Sequence, residues 1–399
     1  MIHHDTPIPS AEIRHRCSQL QLALQKNNID AGFIIQRVDL LYFSGTAQNG
    51  ALYIPAQGDP LLFIKRYFPR AIKESPLDQV FCIKSIQDIP KFIGKQPGRR
   101  PKSLGLEFDV MPVSEYQFFK RLFPSQKLVD LSAIILDIRK LKSAWDIQQM
   151  ERTAEMSALT FDHMRQILIP GITEMEFASA FEAFARQLGH AGQLRVRNYQ
   201  TEGYPWHVLS GPSGGMIGLL DSPASGTGSS YAFPCGASAR KIRSHEPIMV
   251  DFASVLNGYH MDETRMFTIG NMPSEAYAAS QAAIAIQQEL LTSIQPGVCA
   301  HDLYQRSLET AKAMGFKDSY LGIPGHQVAF IGHGIGYELI EPPFIAHGKE
   351  DVLLPGMTIA FEPKFVFANA FAAGIESVFQ ITQSDARLIS KTPVQVFTV

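Results

Sequence analysis

The stretch Pro247–Gly270, PIMVDFASVLNGYHMDETRMFTIG, decides how the rest of this chain is read. It reads as two strands on either side of Asn257-Gly258, a pair that tolerates positive φ and so favours a tight hairpin turn. Asp251 lies on the first predicted strand and Asp262 on the second, and a hairpin can bring both carboxylates to one place. Further along, His333 sits in GHGIG, whose glycines let the backbone approach a neighbour or ligand closely. Glu362 lies in IAFEPKF and Glu376 in GIESVFQIT, two apolar, strand-like runs. A carboxylate in such a run is costly to bury unless it is paired or bound to a cation, so each calls for a positive partner. Singly, each acid also reads as a salt bridge or a solvated strand end. Together, four carboxylates and one imidazole form a hard, oxygen-rich donor set that suits Mn, Co, Fe or Zn, and bridging carboxylates can hold two divalent ions.

Working outward, a chain of 399 residues is long enough for two domains, each with its own core. Near the N-terminus, Ile13, Cys17, Leu20 and Leu24 recur on one face of a predicted helix over residues 10–28, with Ser10 as its expected cap. Strand-like runs at 31–35, 51–54 and 61–64 follow, and the segment reads as a compact α/β domain with no concentrated set of His and carboxylates. Ser143 and Asp146 then form an S-x-x-D capping signal ahead of Ile147, Met150, Ala154 and Ala158. The expected division is therefore residues 1–141 and 142–399.

The second part repeats itself. Pro170, Gly171, Phe177, Ala185 and Gly189 recur 126 residues later as Pro296, Gly297, Leu303, Ala311 and Gly315, each set opening and closing a predicted helix. That pattern predicts one duplicated α/β domain with pseudo-twofold symmetry; the alternative is two unrelated helices with common start and stop residues. Between the two units, residues 211–236 are rich in Gly and Ser and read as a long mobile loop, an inert insertion or an active-site lid, with no phosphate-binding G-x-x-x-x-G-K-[ST] pattern.

Composition removes several function classes. The chain is 45% hydrophobic and 19% charged with a net charge of -2, which gives no electrostatic reason to bind nucleic acid or an anionic membrane. Cys17, Cys82, Cys235 and Cys299 lie far apart with no CxxC pair, as expected of thiols in a reducing compartment, and the expected location is the cytoplasm. No apolar run is long enough to span a bilayer, and the N-terminal MIHHDTPIPSAEIRHR lacks a signal-peptide core.

The order Asp251, Asp262, His333, Glu362 and Glu376, at intervals of 11, 71, 29 and 14 residues, together with the RKLKSAWDI junction at 139–147, resembles the creatinase/aminopeptidase P/prolidase family of M24 metallopeptidases. The resemblance covers essentially the whole chain. It implies an α/β (α+β) fold with a creatinase-type N-terminal domain and a C-terminal duplicated pita-bread domain, and a homodimer. It also implies two divalent ions, manganese first among Mn, Co, Zn and Fe. Asp251 would chelate one ion, His333 and Glu362 would hold the other, and Asp262 and Glu376 would bridge them. The implied activity is hydrolysis of a peptide or amide C–N bond, in its specific form an Xaa-Pro aminopeptidase or dipeptidase, with Glu362 taking a proton from the attacking water.

The chain departs from the pattern where peptidases of this family carry two substrate-binding histidines. One position, seven residues after His333, is Ile340; the other, 17 residues before Asp251, falls on Pro234. His207 in YPWHVLSGPSG is a candidate substitute. His260, two residues before Asp262, is expected on the same strand face, and Glu341 matches the acid of the family's His-Glu-x-Pro pattern; Glu338 lies close by, and Tyr337 reads as packing. These departures keep two further readings open: a different enzyme on the same scaffold, either a small-molecule amidohydrolase or a lyase, and a binding module without chemistry.

Overall fold

Alternation and turn chemistry in the first 140 residues build one six-stranded sheet. In a computed structural model, which describes residues 7–96, 100–197 and 206–399, its strands are β1 (Ala31–Ile34), β2 (Gly50–Pro55), β3 (Leu61–Ile64), β4 (Val80–Cys82), β5 (Ser103–Leu106) and β6 (Lys127–Asp130). The order across the sheet is β4-β3-β2-β1-β5-β6, with β1, β2 and β3 antiparallel and β4, β5 and β6 joined in parallel. Phe33, Phe63, Leu104, Leu106 and Phe119 fill the core of this unit. The helix Ser10–Lys26 buries Ile13, Cys17, Leu20 and Leu24, as the periodicity predicts. Ser10 does not cap it: Pro9 precedes the first turn, and the Ser10 hydroxyl instead accepts from Arg14 one turn on. The first six residues of the N-terminal stretch lie outside the described residues.

The chain divides between Arg139 and Lys140, with Arg197 grouped with the N-terminal unit. The second unit opens on the helix Ala144–Ile167, where Ser143 accepts from the Asp146 N–H and Asp146 accepts in return from the Ser143 N–H. Its strands form two sheets and a hairpin. The first sheet contains β7 (Trp206–Ser210), β8 (Ile248–Leu256), β9 (Tyr259–Thr268) and β17 (Val396–Thr398), in the order β17-β9-β8-β7. The second contains β10 (Phe330–Gly334), β11 (Glu341–Ala346), β12 (Thr358–Phe361), β15 (Ser377–Ile381) and β16 (Ala386–Leu388), in the order β11-β10-β12-β15-β16. Between β12 and β15 the chain makes the separate hairpin of β13 (Lys364–Phe367) and β14 (Phe371–Gly374).

The internal repeat is visible in backbone detail. Gly171 and Gly297 both take positive φ, 90° and 98°, a conformation that glycine adopts without strain, and both precede a helix, Glu174–Leu188 and Ala300–Ala313 respectively. The Gly171 N–H donates to Ile242 and the Glu174 N–H to Arg240; the Gly297 N–H donates to Leu353 and the Ala300 N–H to Asp351. Each helix start is thus stitched to a later strand-like segment in the same register, and each helix lines its own apolar core, one around Phe177, Phe181 and Phe252 and the other around Leu303, Ile331 and Phe379.

The Gly/Ser-rich segment differs from an open mobile loop. Gly214 and Gly215 lie so near the chain at 367–372 that an added Cβ would come within 2.5 Å of the Ala372 nitrogen or 2.4 Å of the Phe367 oxygen. Further on, the Gly226 N–H donates to Met216, the Gly228 N–H to Gly236 and the Gly236 N–H to Ser225. Small residues here serve close backbone packing.

Candidate metal centre

The hairpin of β8 and β9 pairs Asp251 with Thr264 and Ala253 with Asp262, so the two aspartates are diagonal neighbours on one face of the sheet. β7 adds His207 directly opposite Asp251. In the second sheet His333 stands on β10, while Glu362 follows the last residue of β12 and Glu376 precedes the first of β15; the pairing of Phe361 with Ser377 sets those two glutamates side by side. The Thr264 hydroxyl donates to Glu376 at 2.9 Å, and the Glu376 N–H donates to the Thr264 carbonyl, which ties the acid to the first sheet.

Asp262, His333 and Glu376 each offer one ligand atom within 4.8 Å of the others. The His333 Nδ1 faces the Gly334 carbonyl at 3.0 Å, which fixes the proton there and leaves Nε2 as the lone-pair nitrogen. That Nε2 lies 3.9 Å from both Asp262 Oδ2 and Glu362 Oε1. Asp262 Oδ1 and Glu376 Oε1 are buried with no hydrogen-bond partner among the described residues. Buried carboxylates with unspent oxygens, gathered with an imidazole nitrogen, fit a divalent cation by number and by chemistry.

Asp251 is served differently. Lys364, on β13 two residues past Glu362 and only 1% exposed, places its ammonium 2.9 Å from Asp251 Oδ2, 2.9 Å from Glu362 Oε2 and 3.1 Å from Glu376 Oε2. Burial alone disfavours its charge, but the three carboxylates outweigh that and hold it well above the ordinary lysine range. For Asp251, likewise, burial pulls upward while Lys364 and then His207 hold the carboxyl below its usual value. Asp262 is pushed well above the carboxylate range by burial and then by Glu376 and Asp251, and Glu376 is raised by burial to about 8 despite Lys364. Burial and mutual repulsion thus disfavour full ionisation of these carboxylates, and a cation among them would offset both.

The remaining candidates fall into distinct places. His207 lies with Nδ1 3.9 Å from Asp251 Oδ2; burial lowers its pKa, and its Nε2 has no partner among the described residues. His260 is fully buried, its Nδ1 facing the Gly336 carbonyl and its Nε2 accepting from the Arg195 N–H, so both ring nitrogens meet backbone. Glu341 pairs with Lys142 at 3.1 Å and accepts from the Glu338 N–H. Tyr337 meets the Tyr259 hydroxyl, which donates to Asp146. Ile340 stands partly exposed beside β11, and Pro234 belongs to the folded Gly/Ser-rich segment. Lys364 is the residue that sequence reasoning passed over, although it stood inside IAFEPKF. Its signal was a cation two residues from a buried acid in an apolar run.

Residues 148–383 match the model of metallopeptidase family M24, and residues 16–141 match the creatinase/prolidase N-terminal domain. The chain belongs to metallopeptidase family M24 and is a metallohydrolase, from a family that depends on a dinuclear metal centre. Among its relatives, an Xaa-Pro dipeptidase of Pyrococcus furiosus is 24% identical over 95% of this chain and 99% of the relative. An uncharacterized peptidase of Bacillus subtilis is 26% identical over 92% of this chain and 95% of its own length. The fold is that of solved prolidases, with a TM-score of 0.82 to an Xaa-Pro dipeptidase from Bacillus anthracis (20% identity, 97% and 100% of the two chains). The prolidase from Pyrococcus horikoshii gives 0.79 (21% identity, 95% and 99%). These neighbours have the pita-bread fold, with its duplicated helices and sheets.

Proposed function

We propose that this metallohydrolase cleaves the C–N bond of Xaa-Pro dipeptides or short Xaa-Pro peptides. The observation that carries the reading is the convergence of Asp262, His333, Glu362 and Glu376 from two sheets, with buried oxygens left unsatisfied. Asp262, His333, Glu362 and Glu376 would hold a divalent ion, with Asp251 at the edge of the same centre. Such an ion supplies a water of lowered pKa and polarises the substrate carbonyl. Glu362, with Oε1 turned toward His333 and Oε2 on Lys364, accepts the proton of the attacking water and returns it to the leaving nitrogen. His207, whose pKa burial lowers and which lies beside Asp251, would orient the substrate as the substitute for the histidine missing at Pro234. His260 and Glu341 support the walls through their backbone and Lys142 contacts.

Manganese is the ion the family resemblance puts first; donors of carboxylate oxygen and imidazole with no thiolate suit it, as they suit Co, Fe or Zn. The four cysteines are free, and among the described residues no helix is long and apolar enough to cross a membrane; both fit a cytoplasmic enzyme, which the family resemblance would make a homodimer. Ile340 and the inserted segment favour one second reading, a changed substrate such as a small-molecule amide. The test is a panel of Xaa-Pro dipeptides and non-proline amides incubated with manganese-loaded protein. Turnover of Xaa-Pro substrates that Glu362→Gln abolishes supports the proposal; turnover confined to non-proline amides replaces it with the second reading.

A further inference from the structure

Lys364 spends a buried charge in the middle of the donor set. Its ammonium has three N–H groups, and each has a carboxylate oxygen from a different segment: Asp251 on β8, Glu362 after β12 and Glu376 before β15. A lysine that merely leaned against an acidic rim would keep part of its hydration; this side chain is 2% exposed and sits at bonding distance from all three. Its stem also has a prepared berth. Lys364 pairs with Gly374 across the β13–β14 hairpin, and a Cβ on Gly374 would come within 2.6 Å of the Lys364 Cγ. The absence of a side chain at 374 is what lets the lysine stem lie flat and reach the cluster.

We infer that Lys364 is a built-in cation occupying one of the two metal positions of this centre, so that the enzyme binds a single divalent ion, held by Asp262, His333, Glu362 and Glu376. The inference rests on the metallohydrolase reading above and narrows it. An ion touching Asp251 together with the same oxygens of Glu362 and Glu376 would have to share its place with the ammonium nitrogen, and two like charges at such a distance repel strongly in a buried setting. The other half of the donor set stays open. Glu362 and Glu376 each give one oxygen to the lysine and keep the other, His333 keeps Nε2, and Asp262 Oδ1 has no partner among the described residues. Lysine therefore neutralises part of the carboxylate charge as a fixed hydrogen-bond donor that no chelator removes, while the open half supplies the exchangeable site. It follows that metal uptake is a one-site process.

The test counts ions on the intact protein and reads their coupling. Wild type and Lys364→Ala, purified without chelator and dialysed against manganese, are analysed for metal per chain, and the wild type is titrated with manganese under electron paramagnetic resonance. The expected result is one equivalent in the wild type, with a single-ion spectrum that shows no exchange coupling at saturation, and two equivalents in Lys364→Ala. Two equivalents in the wild type, with an exchange-coupled spectrum, overturn the inference and leave the metal-dependent reading standing. One equivalent in both proteins also overturns it, because the lysine would then fill no ion's place. No ion bound by either protein overturns the metal-dependent reading itself, and the inference with it. Should Lys364→Ala fail to fold, the wild-type count and spectrum decide alone.

Discussion

Two buried acidic nodes in the C-terminal unit are built to opposite ends. Glu174, at the start of the helix Glu174–Leu188, is fully buried and its two oxygens take donors from the Ser210 N–H and hydroxyl, the Ser213 hydroxyl, and the Ser238 N–H and hydroxyl. Every lone-pair direction is used, by neutral groups. The centre around Asp262 and Glu376 is as deeply buried, but leaves Asp262 Oδ1 and Glu376 Oε1 unsatisfied and gathers four carboxylates where one would be costly. The first node closes a structure: it ties the helix start to the edge of β7 and to the segment at 238. The second holds its oxygens in reserve for an ion. The repeat sharpens the contrast, since the position equivalent to Glu174 is Ala300, whose backbone makes the same kind of bond with no acid present. Glu174 is thus an addition to one half of a duplicated frame, and the frame itself does not need it.

The largest expected difference between the nodes is in turnover. Glu362→Gln removes the proton acceptor and lowers kcat by about 10²–10⁴-fold on an Xaa-Pro substrate, its effect falling on the metal centre and on the Lys364 ammonium beside it. Glu174→Ala does the reverse. It removes the acceptor of five buried donors, of which the Ser210 hydroxyl and the Ser238 N–H and hydroxyl have no second acceptor among the described residues, and the expected cost is about 3–5 kcal/mol in chemical denaturation, with the metal content of the surviving folded protein unchanged. A Glu174→Ala protein as stable as wild type would erase the distinction. Next in size is the response to ions: manganese at about a hundredfold over its dissociation constant stabilises the fold by about 2.7 kcal/mol, and chelator removes the gain. Glu174→Gln, whose site shares no partner with the metal centre, is expected to show the same increment.

The smallest effect is a pH dependence remote from both nodes. His190 is pushed down to about 4 by burial, with Glu182 pulling the other way, and its Nδ1 accepts from the Val255 N–H. The folded-state value lies below the unfolded one of about 6.5, so the contribution to stability is complete above that value and is lost as pH falls toward 4. Between pH 7 and pH 5 the expected loss is roughly 2 kcal/mol. Denaturation curves at the two pH values, compared with those of His190→Gln, isolate it; an unchanged pH slope in the variant would assign the effect elsewhere.

Much of the frame could be read from the chain because it rests on local chemistry. Asn257-Gly258 closes the β8–β9 hairpin, with Asn257 at φ 53° and Gly258 at φ 84°, and Ser143 with Asp146 forms the capping box that opens the second unit. The 126-residue repeat is legible for the same reason, since Gly171 and Gly297 answer the same backbone demand. The Gly/Ser-rich segment misled because composition cannot distinguish glycines that loosen a chain from glycines that admit close packing; Gly214 and Gly215 are of the second kind. At the metal centre, the rule that buried acids need a positive partner pointed to a cation without naming it. Whether that cation is an ion or Lys364 depends on the β13–β14 hairpin bringing the Lys364 ammonium to Asp251 on β8, a long-range contact that no local pattern encodes.

The measurement that bears most directly on the centre is anomalous diffraction at the manganese edge from crystals of the manganese-loaded wild-type enzyme. The account predicts one peak, bounded by Asp262, His333, Glu362 and Glu376, with the Lys364 ammonium still within hydrogen-bonding distance of Asp251. Two peaks bridged by Asp262 and Glu376, with Lys364 turned out of the cluster, would contradict it.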